Sequence, residues 1–269
     1  MTVVAAPAET AGVGALLRAW RGRRRVSQLE LALRADSSAR HISFIENGRS
    51  RPSQEMVLRL AEHLDVPVRE RNALLVAAGY APRFPETPLD DPAMDALRSG
   101  MERLLTAYEP FPALILDGAY TVLAANRGIA MLMEGVGEEA LRQPLNAMRT
   151  TLHPAGLAPR IRNFVEWRGH LLAQMERQLA VERSAPLRAV YDEVKAYPLP
   201  EGGREVAGEK GHAPFALPMI IEHDGRILSF VSTIATFNTP MDVTVSELAL
   251  ETFLPADPET AAYLQKAGG

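Results

Sequence analysis

The sequence predicts an α+β chain in two domains, an all-α head followed by a body with an antiparallel sheet covered by helices. Three observations carry this reading. Apolar residues recur at helical spacing through the first 82 residues. Four prolines, Pro82, Pro85, Pro88 and Pro92, then interrupt the pattern. Beyond them the order is strand pair, helices, strand pair, which suits one sheet packed under helices. A chain of 269 residues has room for one to two domains, each with its own core.

In the head, Val13, Leu16, Leu17 and Trp20 recur at i, i+3, i+4 and i+7, an amphipathic first helix. Ser27 with Glu30 three residues on forms a capping box for a second helix, whose apolar face is Leu29, Ala32 and Leu33. Asp36-Ser37 breaks it, and Ser38 caps a third, short helix with Ile42 and Ile45 turned inward. There Arg40, His41, Ser43 and Phe44 face away from the core, and Asn47-Gly48 is the helix stop. Ser53 caps a fourth helix with the stripe Met56, Val57, Leu60, Ala61 and Leu64. Pro67 opens a fifth, which carries Leu74, Leu75 and Ala78 and ends at Gly79.

The proline-rich residues 83–92 read as a semi-rigid linker, so the domains are expected at 1–82 and 93–269. The body opens with a helix from Ala93 to Tyr108. The runs Phe111–Asp117 and Tyr120–Ala125 on either side of Gly118 read as a hairpin. Asn126 opens a short helix, and helical stretches follow over about 157–181 and 184–196. Glu201–Gly211 reads as a loop. Phe215–Glu222 and Ile227–Phe237 are strands joined by His223-Asp224-Gly225, a hairpin turn. Ser246 is expected to begin a helix, with Pro255-Ala-Asp-Pro258 leading into a last one.

Composition narrows the function. The net charge is −4, but residues 1–82 hold 12 Arg, no Lys and 8 acids, a balance of +4. The remainder holds 17 basic and 25 acidic residues, a balance of −8. A basic head on an acidic body suits phosphate-seeking by the head alone. Without cysteine there is no disulfide framework, thiol nucleophile or Cys-based zinc site. The six histidines form no HExxH pair and no metal trio, and no phosphate-binding glycine loop or G-x-S-x-G elbow occurs. Neither a secretory leader nor a run of membrane-spanning length is seen, so a soluble, cytoplasmic protein is expected, without metal or membrane partner.

The head resembles the XRE family of helix-turn-helix DNA-binding proteins. The likeness rests on Ser27-Gln28, Leu31-Ala32, Ile42-Ser43, Ile45-Glu46-Asn47-Gly48 and Pro52 four residues later. The turn departs from the family, with Asp36-Ser37 where a glycine is usual. The resemblance implies double-stranded DNA as partner, with Ser38, Ala39, Arg40, Ser43 and Phe44 toward the groove. Of these, only Arg40 can bind guanine in bidentate fashion. Gln28, Asn47, Arg49 and Arg51 are expected at the phosphate backbone, with Arg23, Arg24 and Arg25 as further candidates. It also implies a structural ion pair between Arg21 and Glu46.

The body resembles the ligand-binding domain of MmyB-like transcription regulators, a PAS-like module. The residues that carry this include Ala77-Ala78-Gly79-Tyr80, Ala125-Asn126, His153-Pro154-Ala155-Gly156-Leu157, Pro240-Met-Asp-Val-Thr244 and Phe253-Leu-Pro-Ala-Asp257. The resemblance implies a homodimeric one-component regulator that senses a small apolar, fatty-acid-like effector, with no other cofactor. Asn146, Arg149, His153 and Asn163 are candidates for the polar end of an apolar site, with Met131 among its adaptable lining. Two plainer readings stay open: His153 as the holder of a turn, and the methionines as core filler. Two other functions stay open as well. The body serves only to dimerise or to recruit a protein, or it is an enzyme carrying a DNA-binding appendage.

Overall fold

The computed structural model describes residues 12–181, 184–200 and 216–267. The chain divides into two compact units, one of residues 1–87 with 239–246, the other of 88–238 with 247–269.

The first unit contains α1 (Val13–Arg24), α2 (Gln28–Arg34), α3 (Ala39–Glu46), α4 (Gln54–His63) and α5 (Val68–Ala77). Three of these start on serine caps. The hydroxyl oxygens of Ser27, Ser38 and Ser53 accept from the backbone N–H of Glu30, His41 and Met56 at 3.1, 3.1 and 3.2 Å. Asp36 holds the α2–α3 turn in the left-handed region, φ 47°, which explains how the turn forms without glycine. Gly48, φ 71°, ends α3 the same way.

The buried face of α2 is Leu31 and Ala32, with Ala35 behind them, while Leu29 and Leu33 are exposed. Seven residues with leucine at 29, 31 and 33 place apolar groups on both sides of the helix. The small Ala32 and Ala35 decide which side packs. Gly14 is required where α1 meets the end of α3: a Cβ there would lie 2.3 Å from the Ile45 carbonyl oxygen.

In the second unit, α6 (Asp95–Tyr108), β1 (Ala113–Leu116), β2 (Val122–Ala125), α7 (Arg127–Leu132) and α8 (Ala147–Leu152) come first. Then follow α9 (Phe164–Val181), α10 (Ala185–Lys195), β3 (Met219–His223) and β4 (Arg226–Thr236). The short α11 (Val243–Ser246) lies in the returning segment of the first unit, and β5 (Ala249–Pro255) and α12 (Pro258–Ala267) close the second. The five strands are antiparallel in the order β2-β1-β5-β4-β3. β1 is buried on both faces. Leu114 and Leu116 join the large core under the helices, while Ala113 and Ile115 pack on Met101 and Leu105 of α6. The β3–β4 turn pairs His223 with Arg226 across Asp224 (φ 48°) and Gly225 (φ 69°).

Three expectations need correction. The stretch after Ser246 is not helical but contains β5, which sits between β1 and β4. Its Glu251 and Thr252 are both buried, so no polar–apolar alternation marks it. The helix α8 is additional, and α9 begins at Phe164 rather than near 157. Residues 83–87, read as part of a semi-rigid linker, belong to the first unit. Phe84 packs with Val68 and Val243, and Asn72 grips the backbone by accepting from Arg83 and Phe84 N–H and donating to the Phe84 carbonyl. The expected loop over 201–211 lies outside the described residues.

Candidate nucleic-acid interface and ligand cavity

Ile42 and Ile45 pin α3 to the core, so the opposite side of this helix is held outward. Ser38, Arg40, Asn47 and Arg49 are exposed there, with Ala39, Ser43 and Phe44 half-buried between them. The guanidinium carbons of Arg40 and Arg49 lie 5.2 and 6.0 Å from the Phe44 ring centroid. One aromatic ring thus gathers two cations on one exposed surface, a favourable place for an anion.

Several of the other basic and polar candidates have partners inside the fold. Arg51 donates to the carbonyls of Ala78 and Gly79 at 3.0 and 3.2 Å and stacks over Tyr80, which closes the end of α5. Arg24 donates to the carbonyls of Leu64 and Asp65 beyond α4. Arg23 stacks on Trp20, 4.5 Å from the ring centroid. Ser38 spends its acceptor on the α3 cap. Asn47 donates to the Ser43 carbonyl and accepts from Arg18.

Beneath α3 lies a carboxylate network. Arg21 grips Glu46 in bidentate fashion, Nε to Oε1 at 2.6 Å and Nη2 to Oε2 at 2.9 Å. Gln28 Nε2 donates to the same Oε2 at 2.8 Å, and Arg18 Nε lies 3.4 Å from it. The Glu46 side chain is 1% exposed. Burial alone would push its carboxyl up, but the hydrogen bonds from Arg21 and Gln28, with the Arg21 charge, outweigh it and hold it below the usual range. Gln28 and Arg21 therefore fix the orientation of α3 from within.

The second unit holds a partly open cavity of about 60 Å³ between the sheet and its helices. Leu114, Val122, Ile129, Met148 and Phe253 are among its apolar walls. Besides Thr150 and Thr151, two polar groups line it: Glu251 from β5 and Trp167 from α9. Neither was among the sequence candidates. Glu251 becomes visible only once β5 is recognised as a central strand, and a lone tryptophan on a helix reads as core.

The five sequence candidates stand outside this wall. Asn146 caps α8 and donates to the Ala119 carbonyl. Arg149 pairs with Glu193 at 2.8 Å. His153 Nδ1 accepts from Ala155 N–H and its ring meets Tyr197 edge-on. Asn163 bridges to β3, donating to the Pro218 carbonyl and accepting from Ile220 N–H. Met131 is half-buried against the core. Asn146, His153 and Asn163 are consumed by backbone groups of the turns and strand around them, which need partners, and Arg149 by the Glu193 carboxylate. Met148 and Met219, by contrast, do line the cavity.

A helix-turn-helix head joined to an α+β domain with an internal cavity is the build of a DNA-binding transcription regulator with a ligand-binding domain. Residues 97–267 match the family of the MmyB-like transcription regulator ligand binding domain, and residues 17–71 match a helix-turn-helix family. The chain belongs to the MmyB-like transcription regulators. It is also similar to a solved structure, the crystal structure of the clp gene regulator ClgR from Corynebacterium glutamicum. That likeness is 26% in identity over 38% of this chain and 93% of that one, with a TM-score of 0.23. No curated protein matches the chain. Among the described residues no helix is long and apolar enough to cross a membrane.

Proposed function

We propose that this regulator binds its operator as a homodimer and that a small apolar, fatty-acid-like effector entering the second unit alters that binding. The observation that carries the reading is the path of the chain beside the cavity. β5, which supplies Glu251 and Phe253 to the cavity wall, is reached through residues 239–246, and those residues pack within the DNA-binding unit. A ligand that displaces the wall strains a segment tied to the head. Exposed Leu104 and Phe237, which flank one groove of the second unit, offer a face for the second copy.

The cavity is smaller than a fatty acid, so entry requires its walls to move. Met133, Met148 and Met219 on that wall are unbranched and can repack at low cost. The test uses the full chain: a thermal-shift screen of medium- and long-chain fatty acids and other hydrophobic metabolites, then binding to an operator selected from random DNA. An effector at a hundredfold excess over Kd should stabilise the fold by about 2.7 kcal/mol. It should also change operator affinity, and DNA should change effector affinity by the same factor. If nothing in the screen raises the melting temperature, the receptor reading falls.

Ser38, Ala39, Arg40, Ser43 and Phe44 are the groove-facing set in this reading. Arg40→Ala is expected to lose about 1–3 kcal/mol of preference for operator over random DNA. Arg49, together with Asn47, meets the phosphates, so Arg49→Ala is expected to weaken all sequences alike and lower the salt slope by about one. Competition titrations across salt concentrations separate the two effects. An unchanged operator preference in Arg40→Ala would remove Arg40 from base reading.

A further inference from the structure

We infer that the cavity selects an apolar molecule carrying a neutral carbonyl group, such as a ketone, ester or lactone, over a carboxylate or an amine. This rests on the receptor reading above, keeps its apolar chain and replaces the carboxylate head of a fatty acid by an uncharged one.

The argument starts from a carboxyl group in an apolar hole. Glu251 is 9% exposed, at the middle of β5, where it stands opposite Leu114 of β1 and Ile234 of β4. Its one hydrogen-bond partner among the described residues is Ser232, whose hydroxyl donates to Oε1 at 2.7 Å. No basic group among the described residues compensates it, and burial pushes its carboxyl up against the smaller opposing effect of Ser232. A lone carboxylate in such a place takes a proton rather than stay charged. Uncharged, it keeps one O–H to donate.

The second group is Trp167, 3% exposed and on the same cavity wall. Its indole Nε1 is buried with no hydrogen-bond partner among the described residues. An indole N–H can only donate, and leaving it unmet is costly. Thr150, also on the wall, already gives its hydroxyl to the Ala140 carbonyl. The cavity wall therefore carries an indole N–H with no acceptor among the described residues and a carboxyl whose O–H has only the Ser232 hydroxyl oxygen beside it.

Three kinds of polar head can be compared with that inventory. An amine would ionise Glu251 but leave the indole N–H unmet. A carboxylate would accept from the donors but bring a negative charge beside Glu251, with no cation on the wall to balance it. A neutral carbonyl accepts and brings no charge. Its alkyl chain is served by Leu114, Val122, Ile129 and Phe253.

The experiment titrates the full-length protein by calorimetry at neutral pH with four ten-carbon probes: δ-decalactone, 2-decanone, decanoate and decylamine. The lactone and the ketone are expected to bind about tenfold or more tighter than the other two, the worth of one or two buried hydrogen bonds. Glu251→Gln, which keeps an N–H donor in the same shape, should retain that preference. Glu251→Leu and Trp167→Phe should each lower carbonyl-probe affinity about tenfold, and Trp167→Phe should leave decylamine unaffected. Tightest binding of decylamine, lost in Glu251→Gln, would overturn the inference by showing an ionised Glu251. Tightest binding of decanoate, or equal binding of all four, would overturn it too while leaving the receptor reading intact. If none of the four binds, the receptor reading and the inference fall together.

Discussion

Glu46→Ala is expected to destabilise the DNA-binding unit by about 3 kcal/mol, the lower end of what the loss of one partner from a buried ion pair costs. The lower end applies because the pair is open on one side. The Glu46 side chain is 1% exposed, but Arg21 is 18% and Arg18 is 52% exposed, so water reaches the cations left behind. The change removes an acceptor shared by Arg21 and Gln28 at the C-terminal end of α3. It should therefore weaken operator binding although Glu46 lies beneath the helix. Chemical denaturation and DNA titration of the same variant test both effects. A variant as stable and as active as the parent would show that the network contributes nothing.

The same network gives an acid signature. The folded-state pKa of Glu46 is lowered, so its contribution is complete above the usual carboxylate range and is lost as pH falls through the lowered value. As pH falls below the usual carboxylate range, the parent should lose more stability than Glu46→Ala, which has no such carboxylate to protonate. Glu46→Gln, which keeps a carbonyl acceptor but no titrating group, should lack the extra acid loss as Glu46→Ala does, while lying between it and the parent in stability at neutral pH.

What could be read in advance was local. The caps at Ser27, Ser38 and Ser53 depend on residues three positions away, so the sequence displays them. The turn at Asp224-Gly225 is of the same kind. The face of α2 was misjudged because leucines at 29, 31 and 33 satisfy either side of a short helix. Only the approach of α3, a tertiary fact, buries Leu31 and exposes its neighbours. β5 escaped notice because a central strand here buries Glu251 and Thr252, and its residues read equally well as helix. The Arg21–Glu46 pair came from family likeness, since nothing in a spacing of 25 residues predicts it. The ligand candidates lie off the cavity wall for a physical reason. Asn146, Arg149, His153 and Asn163 are polar residues near apolar ones, and such residues are taken up by turns and buried backbone or, for Arg149, by the Glu193 carboxylate. Glu251 and Trp167 stand on the cavity wall because strand and helix packing place them there, and neither is marked by its neighbours in sequence.

Asp242→Ala is expected to leave operator affinity close to that of the parent and to abolish the effect of any effector on it. Residues 239–246 leave β4, enter the DNA-binding unit and return to β5. Asp242 ties them there. Its Oδ2 accepts from the Thr87 hydroxyl at 2.6 Å and from the Thr87 N–H at 3.2 Å, while its Oδ1 accepts from Thr244 N–H at 2.8 Å. Val243 follows, 1% exposed against Val68 and Phe84, and its N–H donates to the Pro85 carbonyl at 2.8 Å. Hydrogen bonds to a charged acceptor are worth about 1.5–3 kcal/mol each, so losing this carboxylate is enough to loosen the segment. Neither Asp242 nor Val243 is part of α3, so the reading surface stays in place. Coupling between two sites typically amounts to about 1–3 kcal/mol, or 5–150-fold in affinity, and it vanishes in both directions when the connection is cut. The measurement is operator Kd with and without a probe that raises the parent's melting temperature, paired with probe Kd with and without operator. Thr87→Val, which removes only the hydroxyl donor, should give a partial loss. An undiminished response in Asp242→Ala would mean that the signal reaches the DNA-binding helices by another path, and the linker at 83–92 would be the next segment to cut.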